Sequence, residues 1–220
     1  MKNTFLFLVI FAYSNSVYSQ KTIQLFKEHD TQGWYSFLAK SGKNNDPLHV
    51  FTFEKGIIHA SGEDFGYLIT TEKFSDFHFT VQFKWGTKKY PPRVNEKRDA
   101  GVLYHATIYS VDKIWPRSLE FQVQEGDCGD FWMTDSTTIQ YKGVLTEPKN
   151  WFNIKKERDA EKPNGQWNTV EVIVQKGHIT HKMNGVTVVE AVLGNTKEGQ
   201  IVLQSEGAEV FYRKAKIKRL

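Results

Sequence analysis

The sequence has few of the residues that cross-link small exported proteins or bind zinc. Cys128 is the only cysteine among 220 residues, so no intrachain disulfide can form and the fold must depend on its hydrophobic core. The seven histidines and the lone cysteine lack the spacing of a zinc site. A formal net charge of +4 indicates no particular class of partner. The chain is nevertheless long enough to bury a sizeable core.

Long apolar runs are also scarce, and the clearest one lies at the N-terminus. Lys2 precedes an apolar stretch over residues 5–13, and a polar stretch then ends in Val17-Tyr18-Ser19 before Gln20. This pattern predicts a signal peptide over residues 1–19 and not a membrane span. We expect a mature chain without a transmembrane segment, exported to the periplasm or the medium. No cysteine follows the predicted cleavage point, so a lipid anchor there is not expected.

Alternation of apolar and polar residues is what the sequence has in abundance. In residues 77–85 the apolar positions recur every second residue, a period that a helix could not place on one face. Shorter segments of the same kind are residues 50–53, 57–60, 101–105, 119–124, 170–175, 179–183, 186–191, 200–204 and 210–217. They predict an all-β fold, a jelly-roll sandwich of two antiparallel sheets, in a single domain over residues 20–220.

Turn residues agree with this prediction. Asn184-Gly185 separates two of the predicted strands and is typical of a tight type I′ hairpin, which needs positive φ at both central positions. Lys55-Gly56 and Lys176-Gly177 punctuate two further strand pairs. We therefore expect a hairpin at each of these three places.

Residues 86–99 depart from the pattern and are expected to form a long loop. Five basic residues surround Pro91-Pro92 there. The segment lacks the interleaved aromatics of a nucleic-acid stacking platform, so a solvated loop is the better interpretation and no nucleic-acid partner is expected. Arg98 and Asp99 lead directly into a predicted strand, and we expect them at the rim of a cleft as substrate-binding residues.

The segment 119–124 carries the most informative pattern. Glu120, Gln122 and Gln124 share one face of the predicted strand, whereas the apolar residues between them share the other. One alternative is a solvated outer face. The other is a binding or catalytic site whose polar groups line a cleft.

Eight short motifs, in order along nearly the whole predicted mature chain, resemble one bacterial family. They are Leu25-Phe26 with Gly33-Trp34, Gly66-Tyr67-Leu68, Phe74-Ser75-Asp76-Phe77, Asp99-Ala100-Gly101-Val102, Glu120-Phe121-Gln122, Gln166-Trp167-Asn168, Asn184-Gly185, and Leu203-Gln204 with Phe211. The chain thereby resembles the 3-keto-disaccharide hydrolase domain family. That resemblance implies a concanavalin A-like fold and activity on oxidised disaccharides or glucosides.

A second resemblance concerns the carboxylates. Glu120 and Glu125 have the spacing of the nucleophile and acid/base in concanavalin-like endoglucanases, with Gln122 in place of the central aspartate. Strict alternation would point the two glutamates to opposite faces, so a pair requires a bulge between them. The alternative is that Glu125 begins a solvated loop.

A 3-keto sugar opens a route that needs only one base, since the ketone acidifies the hydrogen at C2. For this route we expect Glu120 as the base, with His105 and Arg117 as candidates for acid and electrostatic support. A structural histidine and an exposed arginine are the alternatives for these two positions. Trp132 and Gln204 are further candidates for sugar contacts, and Trp115 flanks the same strand.

Other site chemistry is less favoured. Glu125, Asp127 and Asp130 form an acidic loop that could offer oxygen ligands to calcium, but neighbouring acids in a loop are usually solvated, so no metal or cofactor is expected. Cys128 lies among acids, which disfavours its thiolate, and it is rejected as a nucleophile.

The sequence therefore favours an exported carbohydrate-active hydrolase that acts on an oligosaccharide or glucoside. A non-catalytic, lectin-like glycan-binding module is the main alternative, and a plain interaction domain is a third. The oligomeric state stays open.

Overall fold

The computed structural model describes residues 22–26 and 32–220. The predicted signal peptide lies outside the described residues. Within them, no helix is both long and apolar enough to cross a membrane.

Strands make up nearly all of the regular structure. The described residues form eighteen strands and one short 3-10 helix, Arg93–Asn95. The strands are β1 (Thr22–Gln24), β2 (Trp34–Leu38), β3 (Gly42–Lys43), β4 (Phe51–Glu54), β5 (Ile57–Ala60), β6 (Gly66–Thr70), β7 (Phe77–Lys89), β8 (Asp99–Thr107), β9 (Arg117–Gln124), β10 (Phe131–Thr134), β11 (Ile139–Tyr141), β12 (Val144–Leu145), β13 (Trp151–Ile154), β14 (Asn168–Gln175), β15 (His178–Met183), β16 (Val186–Leu193), β17 (Gln200–Ser205) and β18 (Ala208–Arg219).

The strands build two antiparallel sheets. A ten-stranded sheet has the order β12-β11-β16-β15-β14-β7-β18-β5-β4, with β1 paired to β18. An eight-stranded sheet has the order β13-β10-β9-β8-β17-β6-β2-β3. The main hydrophobic core lies between them and draws on both, including Phe79 and Phe83 from one sheet and Phe121 and Leu203 from the other. The predicted two-sheet sandwich is confirmed.

The three predicted hairpins are also confirmed. Asn184 and Gly185 have φ values of 51° and 83° and join β15 to β16. The pairs Lys55-Gly56 and Lys176-Gly177 likewise have positive φ at both positions and join β4 to β5 and β14 to β15. Positive φ at both central residues fits the right-handed twist of the flanking strands.

The prediction of a loop over residues 86–99 was wrong at both ends. β7 continues to Lys89, and β8 already begins at Asp99. The extension of β7 pairs with β18, where Ala208 lies opposite Lys89. The carboxylate of Glu209 accepts hydrogen bonds from the Thr87 and Lys88 amides, 2.9 and 3.2 Å long. These contacts come from a distant part of the chain, and local composition does not reveal them.

The two faces of the eight-stranded sheet have different roles. Leu119, Phe121 and Val123 of β9 enter the main core, as the alternation predicted. On the outer face, one half is an apolar cluster around Tyr67, with Ile69, Leu103, Ala106 and Val202. The other half carries the polar side chains of β8, β9 and β17, and it forms the candidate site.

Candidate functional site

The candidate site is a cavity on the outer face of the eight-stranded sheet, referred to below as the acid cavity. Its volume is about 300 Å³. Its lining combines three carboxylates, one arginine, three amides and three indoles: Asp99, Glu120, Glu206, Arg93, Gln122, Gln124, Gln204, Trp115, Trp132 and Trp151.

Strand register brings the polar residues together. Gln122 of β9 lies opposite Gly101 of β8, and Gln124 lies opposite Asp99. Gly101 lies directly against two of the lining residues, because any side chain there would collide with the Glu120 carboxyl and the Gln204 amide oxygen. Because Gly101 has no side chain, Glu120 of β9 and Gln204 of β17 can approach each other across β8, the strand between them.

Glu120 is a buried carboxyl group, with 6 % of its surface exposed. Burial raises its pKa well above the ordinary value, and the nearby charges of Glu206 and Asp99 raise it further. A buried acid without a basic partner is costly for the fold. Such a group in a cleft is a candidate for acid or base chemistry.

Arg93 links the other two acids. Its Nη2 lies 2.5 Å from Asp99 Oδ2 and 2.6 Å from Glu206 Oε1. Burial raises the pKa of Glu206 and the neighbouring Asp99 adds to this effect, while Arg93 opposes it. Burial likewise raises the pKa of Asp99 against the influence of Arg93. One guanidinium thus pairs with two of the three acids, and the cluster favours retention of a proton.

Several polar atoms of the cavity have no partner among the residues that the structure describes. Asp99 Oδ1, Arg93 Nε and Gln204 Oε1 are buried without a hydrogen bond to any described residue. Gln122 Oε1 accepts the Val123 amide at 2.9 Å, which leaves its NH2 group without a partner among the described residues. Buried polar atoms are normally satisfied, so a group of orphans in one cavity indicates that a polar ligand binds there.

Indole rings form the walls. Trp132 lies beside Glu120 across the β9–β10 ladder. Trp115 and Trp151 meet edge to face, with ring centroids 5.9 Å apart. Flat apolar faces beside orienting amides are suited to a pyranose ring.

The structure brings six of the ten predicted site residues to this cavity: Glu120, Gln122, Gln124, Asp99, Trp132 and Gln204. It does not bring Arg98, Glu125, His105 or Arg117 there.

Glu125 and Arg98 bind each other. Arg98 Nη1 lies 3.3 Å from Glu125 Oε2, and Asn164 donates to Glu125 Oε1. Burial opposes ionisation, but the hydrogen bonds from Asn164 and Arg98 outweigh it and hold the pKa of Glu125 below its ordinary value. The bulge that a Glu120–Glu125 pair would need is not formed, since the pairing of β9 with β8 is unbroken from Leu119 to Gln124. A Glu120–Glu125 pair is therefore not formed.

His105 and Arg117 lie outside the lining. His105 is fully buried, and its ring nitrogens contact Thr196 Oγ1 at 3.2 Å and the Ser75 carbonyl oxygen at 3.0 Å. Burial lowers its pKa, so the ring is neutral. Arg117 donates to the Asn195 carbonyl oxygen at 3.2 Å. His105 thus matches the structural alternative, whereas Arg117 is half-buried and is neither an exposed arginine nor part of the lining.

The sequence missed Arg93, Glu206 and Trp151. Arg93 lies in the 3-10 helix of the shortened basic loop, and Glu206 follows β17, two residues after Gln204. Residues two positions apart lie on the same face of a strand, so the spacing of Gln204 and Glu206 is the sequence signal that could have identified Glu206. Trp151 reaches the acid cavity only because β13 pairs with β10.

Each acid of the predicted acidic loop has a basic neighbour. Asp127 lies 2.7 Å from Lys97 Nζ, and Asp130 lies 2.9 Å from Lys155 Nζ. In the part of the chain that the structure describes, no three His, Cys, Asp or Glu side chains are grouped to hold a metal. Burial raises the pKa of the Cys128 thiol well above its ordinary value, which disfavours a nucleophilic thiolate.

Two proteins that this chain is similar to are named as hydrolases. A 3-keto-disaccharide hydrolase of Bacteroides thetaiotaomicron is 24 % identical over 251 aligned residues, covering 90 % of this chain and 78 % of the relative. A solved Parabacteroides distasonis protein, named as a candidate glycosyl hydrolase, superposes with a TM-score of 0.64 at 19 % identity, covering 90 % of this chain and 94 % of that one.

The glucanase fold is also recognisable. The β-glucanase of Bacillus licheniformis superposes with a TM-score of 0.55 at 10 % identity, over 91 % of this chain and 98 % of that one. The family described as the 3-keto-alpha-glucoside-1,2-lyase-like domain matches residues 21–218. With this match over nearly its whole length, the chain belongs to the 3-keto-alpha-glucoside-1,2-lyase-like domain family.

Proposed function

We propose that this protein cleaves the glycosidic bond of 3-keto-glucosides or 3-keto-disaccharides, with Glu120 as the base that acts at C2. The observation that carries the proposal is the buried Glu120 carboxyl in a sugar-sized cavity, beside two further acids and one arginine. The family and the named relative support a hydrolase-like activity on sugars.

The chemistry follows from the C3 ketone. Glu120, in its ionised form, takes the proton from C2, and the electron pair of that C–H bond delocalises into an enolate on the C3 oxygen. Reformation of the ketone expels the glycosidic oxygen from C1, leaving a C1–C2 double bond conjugated with the ketone. Water then adds at C1 and a proton returns to C2, so that the products equal those of hydrolysis.

Two side chains of the acid cavity suit the remaining steps. Glu206, whose pKa is raised, can hold the proton that the departing alcohol needs. The unpartnered NH2 group of Gln122 can donate to the enolate oxygen or to a sugar hydroxyl. Trp132 supplies an apolar wall beside the reacting ring.

Direct hydrolysis is the alternative route in the same cavity. It would use two carboxyl groups of the acid cluster in place of the C2 proton transfer. The two routes give the same products but differ in whether the hydrogen at C2 is exchanged.

The proposal is tested by incubating the protein with a 3-keto-glucoside and with its unoxidised parent, following both by mass spectrometry. We expect cleavage of the keto sugar only, and loss of turnover with retained sugar affinity in Glu120→Gln. Cleavage of neither sugar, together with tight binding of both, would indicate the lectin-like module. Full activity of Glu120→Gln would remove Glu120 from the reaction.

Export of the mature chain remains part of this proposal. It is supported by the apolar run and small residues of the N-terminal segment. Fractionation of the native cells, with detection of a chain that begins at Gln20, would test it.

A further inference from the structure

A second hollow adjoins the acid cavity, referred to below as the outer hollow. Its volume is about 340 Å³, and it is lined by Lys113, Ile114, Trp115, Thr134, Asp135, Asn150 and Trp151. Trp115 and Trp151 line both spaces. The edge-to-face pair of indoles is therefore a shared wall between the acid cavity and a more open space.

Of the polar side chains that line the outer hollow, Thr134 is bound to Ser118 and Pro116, whereas three others are unengaged. Those of Lys113, Asp135 and Asn150 make no hydrogen bond or ion pair with any other residue that the structure describes. Asp135 and Asn150 are tied only through their backbones, by a 3.0 Å hydrogen bond from the Asp135 amide to the Asn150 carbonyl oxygen. A positive charge, a carboxylate and an amide thus meet beside an indole, the combination that binds sugar hydroxyls and a sugar face.

The sizes and spacing of the two spaces suggest what each one holds. A volume of about 300 Å³ is at the lower end of the range of about 300–1,000 Å³ for ligand pockets, so the acid cavity has room for about one sugar ring. Trp132 and Thr134 lie on the same face of β10, two residues apart, which corresponds to a displacement of about 7 Å. A second ring that continues along this strand would enter the outer hollow.

We propose that the outer hollow is the subsite for the leaving group, and that it binds the second sugar ring of a disaccharide substrate through Lys113, Asp135, Asn150 and the Trp151 indole. This inference rests on the proposed function, because it assumes that the keto ring occupies the acid cavity. It makes a disaccharide, and not a glycoside of a small alcohol, the preferred substrate class.

The test compares two keto sugars that differ only in the leaving group, the 3-keto forms of methyl glucoside and of a glucosyl-glucose. Lys113→Ala/Asn150→Ala removes two exposed side chains that make no hydrogen bond or ion pair with other described residues, so the fold should be unaffected. We expect kcat/KM for the keto-disaccharide to fall about tenfold or more, the effect of one or two lost hydrogen bonds. The value for the keto-methyl glucoside should stay within about twofold of the wild type.

The matched control is Lys73→Ala/Gln175→Ala, which removes exposed side chains of the same kind elsewhere and should leave both substrates unchanged. An equal loss on both keto sugars, or no loss on either, would overturn the subsite.

A binding measurement separates this inference from the proposed function. Calorimetry with the unoxidised disaccharide should show weaker binding to the Lys113→Ala/Asn150→Ala variant than to the wild type, whether or not any sugar is cleaved. If the wild type cleaves neither keto sugar, the proposed function fails while this comparison still decides the subsite. Equal binding by wild type and variant, or no binding by either, would overturn it.

Discussion

Single side chains set the chemistry of the site, and Glu120 shows most clearly that the site is not arranged for stability. Its pKa is raised in the folded state by burial and by neighbouring acids. The folded protein therefore resists its ionisation. The contribution of the neutral Glu120 carboxyl to the stability of the fold is fully present below the ordinary pKa of a carboxyl group. This contribution is lost as pH rises toward the folded-state pKa of Glu120.

Replacing Glu120 by Gln removes the ionisable group with little change in shape. We expect the melting temperature of Glu120→Gln to exceed that of the wild type at pH 8 by a few degrees, since about 1 kcal/mol moves it by about 2–4 °C in a chain of this size. The gain should shrink toward pH 4, where the carboxyl is neutral in both states. Thermal melts at the two pH values check this, and a variant less stable than the wild type at pH 8 would contradict it.

Arg93 controls the protonation of the acid cluster. Its guanidinium lowers the pKa of both Asp99 and Glu206 against the effect of burial. In Arg93→Gln these pKa values should rise, so the alkaline limb of the pH profile of kcat/KM should move to higher pH, as Glu206 keeps its proton longer. Profiles of wild type and variant measure the shift. An unmoved alkaline limb, or one displaced to lower pH, would count against Glu206 as the acid.

Alternation in the sequence identified Glu120, Gln122 and Gln124, because one face of a strand is a local property. It could not find Arg93 or Trp151, which reach the cavity through a loop and through a neighbouring strand far along the chain. The expectation for His105 failed for a related reason. The sequence shows that His105 lies in a strand. It does not show that Thr196 and Ser75 contact the two ring nitrogens of His105.

Among the connecting segments, the loop over residues 108–116 carries Trp115 to the acid cavity. Asp112 anchors this loop to the sheet, since its Oδ1 accepts hydrogen bonds from Tyr35 at 2.9 Å and from Tyr67 at 3.1 Å. Tyr35 and Tyr67 stand on β2 and β6, on the same outer face as the cavity. The anchor therefore fixes where the Trp115 wall stands.

Asp112→Ala should raise KM for the keto sugar several-fold and change kcat less, because the loop loses its anchor while the acids stay in place. Asp112→Asn keeps an acceptor oxygen and should behave nearly as the wild type. Tyr109→Ala, at an exposed position of the same loop, is the control and should have no effect. Steady-state kinetics of the three variants decide the matter. A KM unchanged in Asp112→Ala would show that Trp115 needs no such anchor.

Strand and hairpin positions were largely readable from the sequence, since alternation and positive-φ turn residues are local signals. The far end of β7 was not readable. Its last residues contain glycine and several lysines, and they are held as a strand by Ala208 and the Glu209 carboxylate of β18. The regular register of β9 from Leu119 to Gln124 was equally hidden, since Gly126 beside Glu125 made a bulge plausible and the pairing with β8 contains none over that stretch.

For the molecule as a whole, a buried polar contact joins the two sheets without a disulfide. The Nε2 atom of His181, in β15, accepts a hydrogen bond of 2.9 Å from the Tyr104 hydroxyl of β8. The Nδ1 atom of His181 donates a hydrogen bond of 3.0 Å to the Gly129 carbonyl oxygen. Burial lowers the pKa of His181 to about 3, so the ring is neutral and this assignment of donor and acceptor follows. The contact lies within the main core, against the rings of Phe121 and Phe131.

His181→Phe would fill the space but leave the Tyr104 hydroxyl and the Gly129 carbonyl oxygen without partners. We expect the free energy of unfolding at pH 7 to fall by about 1–3 kcal/mol. Because the folded-state pKa is depressed, the stabilising effect of the neutral ring is present above pH 6.5 and is lost as pH falls toward 3. Urea titrations at pH 7 and pH 4 should therefore show a smaller difference between wild type and variant at pH 4. Equal stability at pH 7 would contradict this role.

The decisive measurement is the fate of the hydrogen at C2 when a 3-keto-glucoside is cleaved in heavy water. If Glu120 removes that proton and elimination precedes the addition of water, the keto-sugar product carries deuterium at C2, and a substrate deuterated at C2 reacts more slowly than the unlabelled one. A product formed at the normal rate with its original C2 hydrogen in place would contradict proton abstraction at C2 and indicate direct hydrolysis.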